Sequence, residues 1–343
     1  MIEDRLGSAS TAALRHSLRA AHDYGIEAED ALVQNDLPLG ILDSSITRVT
    51  GSQFQRLIRW LVDACEDPLF GLKSGSYVQP GSYSIFGYMI MNCRSAREAL
   101  HMTPMYESIV GDMGVTQLEK AGKRLAVCWT CQYDDPIIIP HMIDNVLFSW
   151  TQFARYLADL PDGKPYCVQL ERSQPNEEAL KTYQQMFGCE IEFNASRNAL
   201  IVDEEVLETP LRQPDPGLLQ SLKQQAEAMM NELKQKNTII LQVRTALRRL
   251  MEEDLPRKEK VAEALNMTER TLQRRLQEAG TGYQQLLDDI RRETAIDWLT
   301  TTQMSVNDIA DRLGFSEVRS FQRRFKSWTG HAPIKYRTMH STI

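Results

Sequence analysis

No run of apolar residues in this 343-residue chain is long enough to cross a bilayer. The opening residues, MIEDRLGSAS, are acidic and polar, and no apolar segment follows them. Neither a signal peptide nor a membrane span is therefore expected, and a cytoplasmic location is. Cysteine is sparse: six residues, at 65, 93, 128, 131, 167 and 189, lie scattered in a chain too large to need staples. The six histidines, at 16, 22, 101, 141, 331 and 340, form no HxH or HExxH spacing, so no metal site is expected. A P-loop, a nucleophile elbow and a dinucleotide fingerprint are also missing, so no cofactor is expected and an enzyme is disfavoured. Cys128-Trp-Thr-Cys131 has the CxxC spacing of redox and zinc sites, but no second CxxC or His pair is near to complete four ligands. The run LAVCWTCQY reads as a strand, in which residues three apart point to opposite faces. Two structural cysteines are expected.

The composition that remains is ordinary, with 42% hydrophobic and 25% charged residues. A net charge of −7 speaks at first against nucleic acid. The distribution is uneven, however: residues 241–343 carry 18 Lys and Arg against 14 Asp and Glu, and the first 240 carry 21 against 32. An acidic domain joined to a mildly basic one is the simple reading.

Helical spacing marks Leu14, Leu18 and Ala21, then Phe54, Leu57, Ile58 and Leu61, with Thr50 or Ser52 as a cap. Ser95 to Val110 repeats the pattern. GVTQLEKAGKRLAVCWTCQY reads as a hairpin turning at Ala121-Gly122-Lys123. Ile143 to Leu157 returns to helix, PYCVQLERSQP reads as a strand, and Glu177 to Phe187 as a helix. Two strands flank Asn194 to Asn198. Mixed elements without a βαβ rhythm predict an α+β domain. Its apolar GSYSIFGYMIMNC segment, residues 81–93, suits either core or the wall of a ligand cavity, as do Trp129 and Trp150. TPLRQPDPG, residues 209–217, holds three prolines and a glycine and ends the domain. Asp215 and Pro216 then open a helix as N-cap and first residue. In it, Leu219, Leu222, Ala226, Met229 and Leu233 form a seam that suits a dimer or packing on the same domain.

The most informative feature is a repeat. RTLQRRLQEAG begins at Arg270 and RSFQRRFKSWTG at Arg319, 49 residues later. On a helical wheel, Leu272 and Leu276 oppose Arg270, Gln273, Arg274 and Gln277. Phe321, Phe325 and Trp328 oppose Arg319, Gln322, Arg323 and Lys326. KVAEALNMTER precedes the first copy and DIADRLGFSEV the second, so that Val261, Ala262, Leu265 and Thr268 match Ile309, Ala310, Leu313 and Ser316 at an offset of 48. Val318 is the insertion that raises the offset to 49. Each unit reads as a helix, a turn at Asn266 or Gly314, a hydroxyl N-cap at Thr268 or Ser316, and a basic helix. That is the sequence form of a helix-turn-helix. Gly280 and Gly330 stand where C-caps belong. Tyr283 to Thr300 predicts one connecting helix with Leu287, Ile290, Thr294 and Trp298 along its seam.

Residues 238–340 resemble the DNA-binding domain of the AraC/XylS family of bacterial transcription regulators. DIADRLGFSEVRSFQRRFKSWTGHAPIKYR carries the specific part: the Gly-Phe turn, the Phe-x-x-x-Phe helix, the Thr-Gly stop and the Pro-x-x-Tyr-Arg end. VAEALNMTERTLQRRL resembles the family's more variable first unit. Residues 20–210 more loosely resemble the effector domain of the branch containing ornithine-utilisation regulators, through GSYSIFGYMIMNCRSAREAL and YQQMFGCEIEFNASRNALIVDEEVLETPL. The resemblance implies an effector-sensing and dimerisation domain at 1–214, a linker helix at 215–237 and an all-α domain at 238–343 with two helix-turn-helix units joined by a long helix. It implies a cytoplasmic homodimer that answers a small-molecule effector, which it does not name. It also implies an activator of promoter DNA that contacts RNA polymerase. By position, Arg270, Gln273, Arg274, Arg319, Gln322 and Arg323 would read bases from helices near 268–279 and 317–329. Thr268, Arg275, Gln277, Ser316, Arg324, Lys326, Lys335 and Arg337 would meet phosphates. Two rival readings stay open: a DNA-binding protein whose first domain only dimerises, and an enzyme domain fused to a DNA-binding tail.

Overall fold

The computed structural model describes residues 6–43, 47–253 and 256–340. Strand β1 (Ser8–Ser10) leads into helices α1 (Thr11–His22) and α2 (Ala28–Gln34); β2 (Arg48–Thr50) pairs antiparallel with β1 and runs into α3 (Gly51–Cys65). Thr50 starts α3 with a reciprocal capping box: its hydroxyl accepts from the Gln53 amide at 3.1 Å, and its own amide donates to Gln53 Oε1 at 3.0 Å. Helices α4 (Phe70–Ser74), α5 (Ser84–Met91) and α6 (Ala96–Val110) follow. Strands β3 (Gly114–Ala121) and β4 (Arg124–Cys131) form the expected hairpin, with Gly122 at φ +67° in its turn. After α7 (Ile138–Ala158) come β5 (Cys167–Leu170), α8 (Glu177–Phe187), β6 (Glu190–Phe193), β7 (Ala199–Asp203) and α9 (Glu204–Leu207).

The sheet order is β3-β4-β7-β5-β6, antiparallel except for β5 beside β6. Its register aligns Leu118, Val127, Leu200, Val168 and Ile191 in one row across all five strands. That row packs with Leu147 and Phe148 of α7 into the main core. Fully burying such a side chain stabilises the fold by roughly 1.5–3 kcal/mol. Ala126, Cys128, Cys167, Ala199 and Ile201 form a small cluster on the other face. Cys128 belongs to that cluster while Cys131 packs against the main core, so the CxxC pair straddles the sheet and both thiols are free.

Asp215 caps the 38-residue α10 (Pro216–Glu253), its carboxylate accepting from the Leu218 amide at 2.9 Å. The chain divides into a unit ending at Asn231 and a unit beginning at Glu232, so α10 contributes to both. Leu219 and Ala226 are buried, with Leu222 and Met230 partly buried, in the first unit's second cluster beside Phe86, Met102 and Tyr106. Met229 is 37% exposed. Leu219, Leu222 and Ala226 of the seam therefore pack on their own unit, while Met229 and Leu233 lie outside that cluster. Ile240, Val243 and Leu247 of α10 belong to the second unit's core. There α11 (Lys258–Ala264), α12 (Glu269–Glu278), α13 (Tyr283–Thr301), α14 (Val306–Arg312), α15 (Val318–Thr329) and α16 (Pro333–His340) make an all-helical domain. Among the described residues, no helix is long and apolar enough to cross a membrane.

Candidate functional site

The second unit holds two copies of one turn. After α11, Asn266 adopts φ +51°, and after α14, Gly314 adopts +73°. Both positions need the left-handed region, which Asn and Gly reach most cheaply. Hydrogen bonds repeat at the same offset: Met267 N to Ala262 O at 2.9 Å matches Phe315 N to Ala310 O at 3.0 Å. Asn266 N to Glu263 O matches Gly314 N to Asp311 O, both at 2.9 Å. Ala262 and Ala310 are buried, which leaves room for the second helix of each pair.

The entries into the two basic helices differ. Thr268 caps α12 as expected, accepting from the Thr271 amide at 3.2 Å. Ser316 does not cap α15. The cap residue is Glu317, which makes no side-chain cap bond. Val318 is the first residue of α15 and matches Glu269 of α12, so it is not the insertion. The extra residue lies between the turn and Glu317: the turns match at 48 while α12 and α15 match at 49, and Glu317, not Ser316, occupies the place of Thr268. Gly280 and Gly330 follow the two helices with φ of +76° and +78°.

Leu272, Leu276, Phe321 and Phe325 are fully buried, which fixes how each helix is rolled. Arg270, Gln273, Arg274, Arg275 and Gln277 are exposed on α12; Arg319, Gln322, Arg323, Arg324 and Lys326 are exposed on α15. Within these faces, Gln273 accepts from Lys258 Nζ at 2.9 Å and Arg274 pairs with Glu278 at 3.4 Å. Thr268, Ser316 and Lys335 are also exposed. Arg324 pairs with Asp288 of α13. Arg337 is half-buried and donates to the carbonyl oxygens of Leu299 at 3.2 Å and Met304 at 2.5 Å. Its guanidinium ties α16 to the end of α13, a use that sequence position alone does not reveal.

Sequence reasoning also passed over Arg291. From α13 it donates to Leu313 O at 2.7 Å and Gly314 O at 2.8 Å, and its guanidinium lies 4.5 Å from the centre of the Phe315 ring. The connecting helix thus holds the second turn directly. At the start of α13, Tyr283 donates to Pro256 O at 2.6 Å, and near its middle Glu293 accepts from Arg244 at 2.8 Å and Arg248 at 2.9 Å. Asp289 sits beside that cluster with Oδ2 buried and lacking a hydrogen-bond partner. Burial pushes its carboxyl up to about 6, against the pull of Arg292 and Arg244.

The first unit contains two neighbouring cavity lobes, of about 100 Å³ and about 190 Å³, whose linings have Tyr83, Phe86, Thr103 and Trp150 in common. The 81–93 segment and Trp129 therefore serve as both core and cavity wall. His16, buried in the smaller lobe, is lowered to about 4 by desolvation and by Arg19, and His141 to about 4 by desolvation and Arg172. Both are neutral at pH 7 and act as polar lining. Among the described residues, no group of three His, Cys, Asp or Glu side chains is placed to hold a metal ion.

A cavity-bearing α+β domain in one chain with two helix-turn-helix units defines a one-component transcription regulator. Residues 25–211, more than half of the chain, match the family described as the arabinose-binding domain of AraC transcription regulator, N-terminal. Residues 261–339 match a helix-turn-helix domain. The chain belongs to the AraC family of transcription regulators. It is 27% identical over 316 residues to the ornithine utilization regulator of Pseudomonas aeruginosa, covering 92% of each chain. It is 23% identical over 317 residues to the HTH-type transcriptional regulator VirS of Mycobacterium tuberculosis, again covering 92% of each. Among solved structures, the transcriptional regulator CdpR from Pseudomonas aeruginosa is similar, with 20% identity, a TM-score of 0.44, and 94% of this chain and 98% of that one covered.

Proposed function

We propose that this regulator holds promoter DNA by placing α12 and α15 in successive major grooves on one face of the duplex, about 34 Å apart along it. The observation that carries the proposal is the repeated Arg-Gln-Arg face. Arg270, Gln273 and Arg274 on α12, and Arg319, Gln322 and Arg323 on α15, stand exposed opposite fully buried apolar stripes. Arg matches guanine O6 and N7, and Gln matches the adenine edge. Thr268, Arg275, Gln277, Ser316, Lys326 and Lys335 flank these faces as phosphate contacts. Arg324 and Arg337 add positive charge nearby, but Asp288 and two carbonyl oxygens already engage their guanidinium groups, so they contribute less than Arg275 and Lys335.

Effector in the first unit shifts the population of DNA-binding arrangements by differential affinity, as linkage requires. The chain acts in the cytoplasm as a homodimeric activator that contacts RNA polymerase, as the family resemblance implies. Its dimer interface lies outside the Leu219, Leu222 and Ala226 seam, which its own unit buries. Genome-wide mapping of bound DNA, followed by anisotropy on the recovered sites, tests the reading. Enriched sites with two major-groove contacts one helical turn apart are expected, and no enrichment over random sequence would contradict it. Sedimentation on such a site tests the dimer: one copy per operator at saturation refutes it.

A further inference from the structure

The two-lobed cavity has an unusual charge inventory. Its smaller lobe is lined by Phe54, Phe70, Tyr83, Phe86, Trp129 and Trp150. Among the described residues that line it, Glu107 is the one acidic side chain and none is Lys or Arg, while Arg19 lies behind the wall and donates to the lining Ser82 at 3.0 Å. Both lining histidines are neutral at pH 7, as their lowered values require. Glu107 stands in the last turn of α6, where the helix end adds negative potential of its own. Its carboxylate is held by the Thr116 amide, at 3.1 and 3.0 Å to its two oxygens, and by the Thr116 hydroxyl. These bonds aim the group without neutralising it. Burial raises the Glu107 carboxyl and its bonds to Thr116 oppose that shift, so a cation beside it would favour the ionised form at some cost in its own affinity. Aromatic faces attract cations through their quadrupoles, most strongly when the cation is desolvated.

The adjoining lobe is almost wholly apolar, lined by Ile90, Ala99, Leu100, Val127, Phe153 and Leu200 among others. At about 190 Å³ it exceeds the roughly 150 Å³ that suffices for a benzene ring in an engineered apolar cavity. Arg155 and Lys164 also line this larger lobe. The Arg155 guanidinium is already engaged by the carbonyl oxygens of Gly163, Met186 and Phe187, and the Lys164 side chain is exposed to screening solvent.

We propose that the effector is a small organic monocation, an amine or quaternary ammonium with an aryl or short alkyl body. Its ammonium group sits against Glu107 among the aromatic rings, and its body fills the apolar lobe. The inference rests on the reading of the first unit as the effector domain and names the class of effector. A free α-amino acid fits poorly, because its carboxylate meets no lining cation beside Glu107.

The test is a matched series on the full-length chain: 3-phenylpropylamine, 3-phenylpropanol and 3-phenylpropionate, followed by tryptophan fluorescence and by isothermal titration. Ornithine is the amino-acid arm. The amine should bind at least about tenfold more tightly than the alcohol, with the acid and ornithine weaker still. Glu107→Gln, which keeps an acceptor for Thr116, should remove the preference for amine over alcohol. Equal binding of amine and alcohol, or tighter binding of the acid, overturns the inference and leaves the effector reading standing. No saturable binding of any probe at millimolar concentration overturns it too. Amine binding that leaves operator affinity unchanged upholds the site chemistry and counts against the effector reading alone.

Discussion

Arg291 offers the most searching test of how the connecting helix supports the second reading helix. Its two charge-assisted bonds to Leu313 O and Gly314 O stand at 2.7 and 2.8 Å, and it covers the Phe315 ring. Bonds to charged groups contribute about 1.5–3 kcal/mol each, and removal leaves two acceptors without their donor. Neighbouring losses do not add, so Arg291→Met should cost the turn about 2–4 kcal/mol. The carbonyls freed are those of the left-handed turn itself, so the cost falls on the segment from α14 to α15. Hydrogen exchange read by mass spectrometry resolves that segment in the full-length protein. Peptides within 306–329 should exchange about 30- to 1,000-fold faster, since every 1.4 kcal/mol is tenfold. Peptides of the β3-β4 hairpin should be unaffected. Arg291→Lys should recover only part of the protection, because a point charge cannot serve two carbonyls and lie flat on a ring. Wild-type protection in Arg291→Met would show that α13 does not hold the turn.

Thr268→Ala should lower the stability of the second unit by about 1 kcal/mol through loss of a cap, while Ser316→Ala should leave it unchanged. Paired denaturant titrations decide, and equal losses would restore Ser316 as a cap. Gly314→Ala should cost about 1–2 kcal/mol because a side chain resists the left-handed conformation, whereas Asn266→Gly should be close to neutral; a neutral Gly314→Ala in the same titrations would remove the conformational argument. Asp289 titrates near 6 when folded, above its ordinary 3.8, so the folded state holds the proton more tightly than the unfolded one. Its contribution to stability is therefore full below about pH 4 and is lost as pH rises through about 6. Asp289→Asn should stabilise the unit at pH 8 and flatten this part of the pH profile. Unfolding midpoints that stay parallel to wild type from pH 5 to 8 would remove Asp289 as the cause.

What the sequence disclosed was mainly local. The Thr50 cap, the Gly122 turn, the helix over Glu177–Phe187 and the two left-handed turns each depend on a few neighbouring residues whose chemistry admits few alternatives. The repeat made the second unit legible because two copies test each other. Long-range pairing was not legible. Nothing near Ala199 announces that β7 will lie between β4 and β5, with β6 paired parallel to β5 instead. The α10 seam admitted two partners, and only the fold shows that Leu219 and Ala226 meet Phe86 and Tyr106. Arg324 and Arg337 looked equivalent to other basic residues until Asp288 and the carbonyls of Leu299 and Met304 were seen beside them. The cavity assembles Glu107, Trp129 and Trp150 from separate elements, so no contiguous motif signals it.

Base reading by α12 and α15 together is what the proposed DNA complex requires. Arg274 and Arg323 occupy equivalent exposed positions on α12 and α15. Arg275 lies about 100° further round α12, toward the DNA backbone in this arrangement. The deciding measurement is the affinity of full-length wild type, Arg274→Ala, Arg323→Ala and Arg275→Ala for a mapped operator and a random duplex across a salt series. Each of the first two substitutions should cost roughly 1–3 kcal/mol on the operator and less on random DNA, while Arg275→Ala should weaken both alike and lower the salt slope by about one. Equal losses on operator and random duplex from Arg274→Ala and Arg323→Ala, or no DNA affinity even at low salt, would contradict the account.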